Sequence, residues 1–91
     1  MADTTSAESE SFKILYFAGV ASFTGTNEES LPAPLPITEL FATLEKKYAG
    51  IREKALNTAM VTVNLDYVDI EDKTLVIQKG DEVAIIPPGM G

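Results

Sequence analysis

The sequence of 91 residues contains no cysteine, no histidine and no tryptophan. The absence of cysteine excludes a disulfide framework, a thiolate zinc site and a cysteine nucleophile within the chain. The absence of histidine removes the commonest general base and the commonest metal ligand. We therefore expect no stand-alone enzyme, because no nucleophile–base pair of side chains is visible.

Positive charge and long apolar segments are also scarce. Seven Lys and Arg residues stand against fourteen Asp and Glu residues, which gives a formal net charge of −7. This charge argues against nucleic acid and anionic membranes as partners and favours a partner with a basic surface. No apolar run approaches the roughly 20 residues that span a bilayer, and no secretory signal begins the sequence. A cytosolic location is expected.

The composition divides the chain into one small domain and two tails. A hydrophobic content of 45% is normal for a globular chain. Residues 1–11, rich in Ser, Thr, Ala and Glu, predict a disordered amino-terminal tail, and residues 12–86 predict the folded domain. Residues 87–91 predict a flexible carboxyl-terminal tail, because proline donates no backbone hydrogen bond and glycine leaves the chain thin.

The segment 12–18 predicts the first strand, since aromatic and β-branched residues dominate it. Both of its faces are apolar: one carries Phe12 and Ile14, and the other carries Leu15 and Phe17. A strand that is buried on one side only alternates more cleanly. We therefore expect the second face to be covered, either by this chain or by another one.

Five apolar residues recur at the spacing of one face of an amphipathic helix, namely Ile37, Leu40, Phe41, Leu44 and Tyr48. Pro36 suits the helix start, Thr38 is the expected amino-terminal cap, and Gly50 is the expected stop. Such a stripe is typical of a core-facing helix rather than of a ligand site.

The remaining segments predict short strands and turns. Residues 19–29, with two glycines and an Asn, predict a loop, and residues 30–35 predict an edge strand because of Pro32 and Pro34. Further strands are expected at residues 59–64, 66–68, 74–76 and 83–86, with a short helical connection at 51–57 and a turn at 79–81.

This order of elements predicts an α+β fold with a mixed β-sheet and one main helix packed on one face. The first and last strands are the most hydrophobic, so we expect them side by side in the middle of the sheet. They would run parallel, with the helix in the crossover between them. This arrangement is the ubiquitin-like β-grasp.

Three segments carry a family resemblance: residues 14–18, residues 61–64, and the run Gly-Asp-Glu-Val-Ala-Ile-Ile-Pro-Pro at residues 80–88. With them the chain resembles the small subunit of molybdopterin synthase, the MoaD-like sulfur carrier proteins. The third segment is the most specific of the three. The resemblance covers nearly everything beyond the amino-terminal tail.

The resemblance implies a reactive carboxyl terminus. In that family an adenylyltransferase of the ubiquitin-activating type uses ATP to form a transient acyl-AMP on the last residue, here Gly91, which becomes a thiocarboxylate. The tail, here Pro87, Pro88, Gly89 and Met90, then enters the large synthase subunit and delivers sulfur to cyclic pyranopterin monophosphate during molybdenum cofactor biosynthesis. The catalytic pocket lies on the large subunit of a heterotetramer. No permanently bound cofactor or metal is implied.

The resemblance also implies a docking surface. Leu15, Phe17 and Ile86 are expected on neighbouring strands, on the sheet face opposite the helix, where they would form an apolar patch for the large subunit. The alternative is that a loop covers them. The acidic residues Asp66, Asp69, Glu71 and Asp72 are expected to form a solvated face or to steer the chain toward a basic groove.

The end of the sequence departs from the family pattern. That pattern has two variable residues after the two prolines and then two glycines, whereas here Gly89, Met90 and Gly91 follow. Either a further glycine belongs at the end, or Met90 is a natural variant. Two alternatives to the molybdopterin interpretation stay open: a related carrier for thiamine synthesis or tRNA thiolation, and an interaction module without tail chemistry.

Overall fold

The computed structural model describes residues 10–88, so the predictions for residues 1–9 and 89–91 lie outside the described residues. The described elements, in chain order, are β1 (Ser11–Tyr16), α1 (Ala18–Thr24), β2 (Glu28–Pro32), β3 (Leu35–Pro36), a 3-10 turn (Ile37–Glu39), α2 (Leu40–Lys47), a π-helical turn (Arg52–Leu56), β4 (Met60–Val63), β5 (Asp66–Val68), β6 (Val76–Ile77) and β7 (Glu82–Ile86).

The main sheet has the strand order β2-β1-β7-β4-β5. Its central pair, β1 and β7, is parallel, with Ile14 opposite Val83. The other neighbours in this sheet are antiparallel, and β3 pairs with β6 in a separate two-stranded ribbon. The predicted mixed sheet with a parallel central pair and α2 in the crossover is confirmed. The proline-containing strand β2 also lies at an edge, as expected.

The core lies between the sheet and α2. Alternate residues of the central strands face the helix and are fully buried, among them Ile14 on β1 and Ile85 on β7. The helix contributes the predicted stripe, since Leu40 and Leu44 are both fully buried. Burial of such side chains is worth about 1.5–3 kcal/mol each. The predicted stripe is therefore core, and it sets which face of the sheet is closed.

The prediction of a loop for residues 19–29 is wrong at its amino-terminal end. Ala18–Thr24 forms the helix α1, and Gly25, at φ 81°, closes it by donating its backbone N–H to the carbonyl of Ala21. Val20 is the one buried residue of this helix. A seven-residue helix with one buried side chain shows no apolar stripe, so its sequence lacks the usual helical signal.

The predicted cap at Thr38 is also wrong. The helical path begins with the 3-10 turn after Pro36, and neither this turn nor α2 receives a side-chain cap. The backbone N–H of Ile37 donates instead to the carbonyl of Leu75, at 3.0 Å. At the other end α2 stops at Lys47, and Gly50 takes a left-handed φ of 91° in the turn that follows.

A polar cluster joins β1, β2 and α2 at the end of the core. The hydroxyls of Tyr16 and Tyr48 both donate to Oε2 of Glu29, at 2.5 and 2.7 Å. Lys47 Nζ lies 2.7 Å from Oε1 of the same carboxylate. Tyr16 and Tyr48 also meet edge to face, with ring centroids 6.3 Å apart. One carboxylate therefore satisfies two tyrosines and a lysine.

This geometry shifts the ionisation of the cluster. Partial burial alone would raise the pKa of Glu29, but hydrogen bonds from Lys47, Tyr16 and Tyr48 outweigh it and lower that pKa. Burial, followed by the Glu29 carboxylate, raises the pKa of Tyr48 to about 12 and raises that of Tyr16 further still. At neutral pH the cluster is therefore one carboxylate held by neutral tyrosines and a cation.

We predict that Glu29→Gln lowers the free energy of unfolding by about 2 kcal/mol at pH 7, because the hydrogen bonds to a charged acceptor weaken. The pKa of Glu29 is lower in the folded chain than its ordinary value. Its stabilising contribution is therefore present above the unfolded-state pKa and is lost as the pH falls through the folded-state pKa. Urea unfolding of both proteins from about pH 7 to about pH 3 should show the difference shrink.

Glu28→Gln is the matched control. Glu28 pairs with Lys13 at 4.0 Å, and both side chains are more than half exposed. Exposed pairs of this kind contribute about 0–1 kcal/mol. An equal loss of stability in the two variants, or a Glu29 difference independent of pH, would contradict the assignment.

Candidate functional site: an apolar sheet face beside the carboxyl-terminal tail

The face of the main sheet that points away from α2 carries a row of neighbouring side chains. Leu15 on β1 lies opposite Ala84 on β7, Ala84 lies opposite Thr62 on β4, and Thr62 lies opposite Tyr67 on β5. Directly opposite residues of paired strands have side chains on the same face. The row therefore crosses four strands at one level of the sheet.

An open groove of about 260 Å³ follows this row, lined by Leu15, Phe17, Thr62, Leu65, Tyr67, Glu82, Ala84 and Ile86. Three large apolar side chains of this lining are exposed: Phe17, Tyr67 and Leu65. Within residues 10–88, no loop covers the groove, because these side chains remain open to solvent. Exposed apolar surface of this kind is typical of a partner-binding site.

The structure brings the three predicted docking residues together. Leu15, Phe17 and Ile86 all line the groove. Phe17 follows β1 directly, and its backbone N–H donates to the carbonyl of Ile85 at 3.3 Å, which keeps it beside β7. The expected placement of these residues on the face opposite the helix is what the structure shows; their role in binding stays a prediction.

Leu65 and Tyr67 were not predicted as part of this surface. Tyr67 is 66% exposed and Leu65 is 87% exposed, on β5 and on the turn before it. The alternation of Asp66, Tyr67 and Val68 carried a weak signal, since it places Tyr67 on the face opposite the half-buried Val68. Whether Tyr67 then lies on the groove side of the sheet depends on how β5 pairs with β4, and a single sequence does not give that pairing.

The backbone is strained beside the groove. Ala18, next to Phe17, has φ 49°, and Leu65 has φ 75°. Residues other than Gly, Asn and Asp rarely adopt this left-handed region, which costs them about 1–2 kcal/mol. Strained residues of this kind cluster at functional sites, where the surrounding structure holds them in place.

The predicted tail begins at the edge of this face. The last strand ends at Ile86, and Pro87 and Pro88 follow it; Gly89, Met90 and Gly91 lie outside the described residues. The two prolines border a second groove of about 300 Å³ between α1 and the π-helical turn, which Phe23 and Lys54 also line. The chain therefore passes from the sheet-face groove, which Ile86 lines, to the second groove, which Pro87 and Pro88 border.

The acidic residues between β5 and β6 shape turns. Asp69 accepts the backbone N–H of Glu71, and Asp72 accepts both the backbone N–H and the hydroxyl of Thr74. These bonds from Thr74 lower the pKa of Asp72. Within residues 10–88, no three acidic side chains come together in a way that would hold a metal ion.

The lining of the groove is mainly apolar. In the described part of the chain the groove holds one ionisable carboxylate, Glu82, among apolar and hydroxyl side chains. A carboxylate without a second acid or base beside it is a poor basis for acid–base catalysis.

No helix among residues 10–88 is long and apolar enough to cross a membrane.

Comparison with known proteins identifies the family. The model of the ThiS family matches residues 14–91, which include both the groove and the tail. The chain belongs to the ThiS family.

Several curated relatives of this chain have the name "Molybdopterin synthase sulfur carrier subunit". The relative from Emericella nidulans is 51% identical over 84 residues, covering 85% of this chain and 92% of the relative. That from Pyrenophora tritici-repentis is 54% identical over 79 residues, covering 85% of each. The human relative is 36% identical and covers 87% of this chain and 91% of its own length.

Solved structures share the fold. Small archaeal modifier protein 1 of H. volcanii superimposes with a TM-score of 0.70 at 16% identity, over 86% of this chain and 97% of its own. A protein–protein complex of subunits 1 and 2 of the molybdopterin-converting factor of Helicobacter pylori contains a chain with a TM-score of 0.65 at 20% identity, over 89% of this chain and 97% of that one. At these identities the likeness establishes the ubiquitin-like β-grasp fold of this ThiS family member.

We predict that Ala18→Gly stabilises the protein by about 1 kcal/mol, because glycine adopts the left-handed φ of this position without the steric cost of a Cβ atom. Ala21→Gly, the same change in the middle of α1 rather than at its first residue, should destabilise it by about 1 kcal/mol. Urea unfolding of both variants measures the two effects. Changes of the same sign would show that the strain at Ala18 is not real.

Proposed function

We propose that this protein is the sulfur carrier subunit of molybdopterin synthase. Its sheet-face groove docks on the large synthase subunit, and its carboxyl-terminal glycine, Gly91 in this sequence, carries the sulfur. The observation that carries the proposal is the identity of 51–54%, over 85% of the chain, to relatives with this name. The position of the groove beside the start of the tail supports it.

The activation step needs only the terminal carboxylate. An oxygen of the Gly91 carboxylate attacks the α-phosphorus of ATP, which forms an acyl-adenylate and releases pyrophosphate. A persulfide sulfur from a sulfurtransferase then attacks the carbonyl carbon and displaces AMP, and reduction of the resulting acyl disulfide by a thiol leaves the thiocarboxylate. Acid–base groups and phosphate contacts come from the activating enzyme. This division of labour fits a chain without cysteine and histidine.

The delivery step depends on the length of the carboxyl-terminal tail. The five residues that follow β7, residues 87–91, span about 16 Å when extended. The large subunit would therefore bind the sheet face outside its active site and receive the terminal sulfur inside it. There the thiocarboxylate donates sulfur to cyclic pyranopterin monophosphate, and two such deliveries form the dithiolene.

The composition of the face indicates what its partners offer. An apolar groove containing Glu82, on a chain of net charge −7, complements an apolar centre with a basic rim. We assign two such partners: the large synthase subunit, in a heterotetramer with two copies of each chain, and the adenylyltransferase. No permanently bound cofactor is proposed, since ATP belongs to the activating enzyme. Dependence on ATP also favours the cytosol.

Carriers for thiamine synthesis or tRNA thiolation would share the activation chemistry, so the acceptor decides between the pathways. The names of the relatives at more than half identity favour molybdopterin. An interaction module without tail chemistry differs from all carriers in a single property, because its terminus would never gain sulfur.

We predict that incubation with ATP, a sulfur donor and the activating enzyme replaces one terminal oxygen by sulfur. Intact-mass spectrometry measures the exchange, and a variant with one appended glycine determines which terminus is competent. A protein with an amidated terminus is the control and should gain nothing. If neither free terminus takes up sulfur, the chain is an interaction module. Uptake without transfer to cyclic pyranopterin monophosphate would indicate another carrier pathway.

We predict that Phe17→Asp weakens binding to the large subunit at least about tenfold, because it places a charge in the apolar centre of the interface. Its stability should change by less than about 1 kcal/mol, since the Phe17 side chain is 37% exposed. Titration calorimetry measures the affinity, and thermal unfolding measures the stability.

Phe23→Asp is the matched control. Phe23 is 38% exposed, like Phe17, but it lies on α1 beside Gly50 and outside the sheet-face groove. It should leave affinity for the large subunit within about threefold. Equal losses in the two variants would show that the loss of affinity is not specific to the sheet face, and an unfolded Phe17→Asp protein would place Phe17 in the core.

A further inference from the structure

The turn between β4 and β5 presents a leucine where the backbone disfavours it. Leu65 has φ 75° and follows Asn64 at φ 52°. Two-residue hairpin turns with both φ values positive strongly prefer Gly, Asn and Asp. Leu65 is also 87% exposed, the highest value among the large apolar residues of the described chain. Neither backbone preference nor burial in this chain accounts for a leucine here.

The turn is held in place by the strand next to it. The backbone N–H of Asn64 donates to the carbonyl of Glu82 at 2.7 Å, and the backbone N–H of Glu82 donates to Oδ1 of Asn64 at 3.0 Å. Nδ2 of Asn64 donates to Oδ1 of Asp81 at 3.1 Å. The amide of Asn64 therefore links the β4–β5 turn to the start of β7, and Leu65 projects from a fixed backbone.

Leu65 extends the sheet-face groove. Together with Tyr67 it forms the side of the groove farthest from Phe17. Strained backbone thus lies beside both apolar ends of the groove, at Ala18 next to Phe17 and at Leu65 itself. Fixing an apolar side chain before association lowers the conformational entropy that binding costs.

We propose that Leu65 is an anchor residue that inserts into an apolar pocket of the large synthase subunit. This inference rests on the proposed function, because it assigns a role within that interface. Two observations indicate the large subunit as the partner of Leu65: this side chain is part of the sheet-face groove, and the turn that carries it is acidic. Asp66, Asp81 and Glu82 surround the turn, so a second copy of this acidic chain would bring like charges together, whereas a partner with a basic rim would not.

The proposal predicts opposite effects on stability and on affinity from one substitution. Leu65→Gly removes the apolar side chain and relieves the left-handed strain. Its midpoint of thermal unfolding should be unchanged or up to about 5 °C higher, while its affinity for the large subunit falls about tenfold or more. Leu65→Met keeps an apolar side chain of similar size and should bind within about threefold of the parent.

Titration calorimetry with the purified large subunit, alongside Phe17→Asp, separates this inference from the proposed function. If Leu65→Gly binds like the parent while Phe17→Asp binds weakly, the anchor role is overturned and the docking face stands. If both bind like the parent, the docking face falls and the anchor role falls with it. A lower unfolding midpoint for Leu65→Gly, or a dimer of the parent that Leu65→Gly dissociates, would also overturn the anchor role.

Discussion

The parallel pairing of β1 with β7 is the interaction on which the rest of the structure depends. It joins the start of the domain to its end, across the crossover that contains α2. Because side chains alternate along each strand, the same register sends Ile14 and Ile85 into the core and Leu15 and Ala84 to the opposite face. The helix closes one face, and the other carries the sheet-face groove. The core and the proposed docking surface therefore use the two faces of one strand pair.

Local patterns predicted part of this arrangement. The apolar stripe of α2 predicted the face that the helix covers. The two apolar faces of β1 predicted that the second face would also be covered; within residues 10–88 it is open, so cover by another chain stays a prediction. The helix α1 was not predicted because its single buried residue, Val20, gives no helical spacing of apolar residues. Leu65 and Tyr67 escaped because their place in the groove depends on which strands β4 and β5 adjoin. The cluster around Glu29 escaped for a similar reason, since Tyr48 is 19 residues away along the chain.

The polar cluster and the groove occupy different parts of the fold and have different chemical tasks. Glu29 joins β2 to α2 through Tyr48 and Lys47, where a charge held by three partners closes the end of the core. The groove keeps its apolar residues exposed and its backbone strained. The domain thus hydrogen-bonds the polar groups of this cluster and leaves large apolar side chains of the groove exposed to solvent. Exposed apolar surface of this kind is typical of a partner-binding site.

The central position of β7 has a mechanical consequence for the chain end attached to it. Residues of β1 pair along one edge of β7 and residues of β4 along the other. A pull on the chain end, directed along the strand axis, is perpendicular to the backbone bonds of the antiparallel pair with β4 and crosses the slanted bonds of the parallel pair with β1. Both ladders then resist the force as a shear load shared among all their bonds, rather than opening one bond at a time. In the proposed function the carboxyl terminus enters the active sites of other proteins, and the strand that anchors it is paired on both sides.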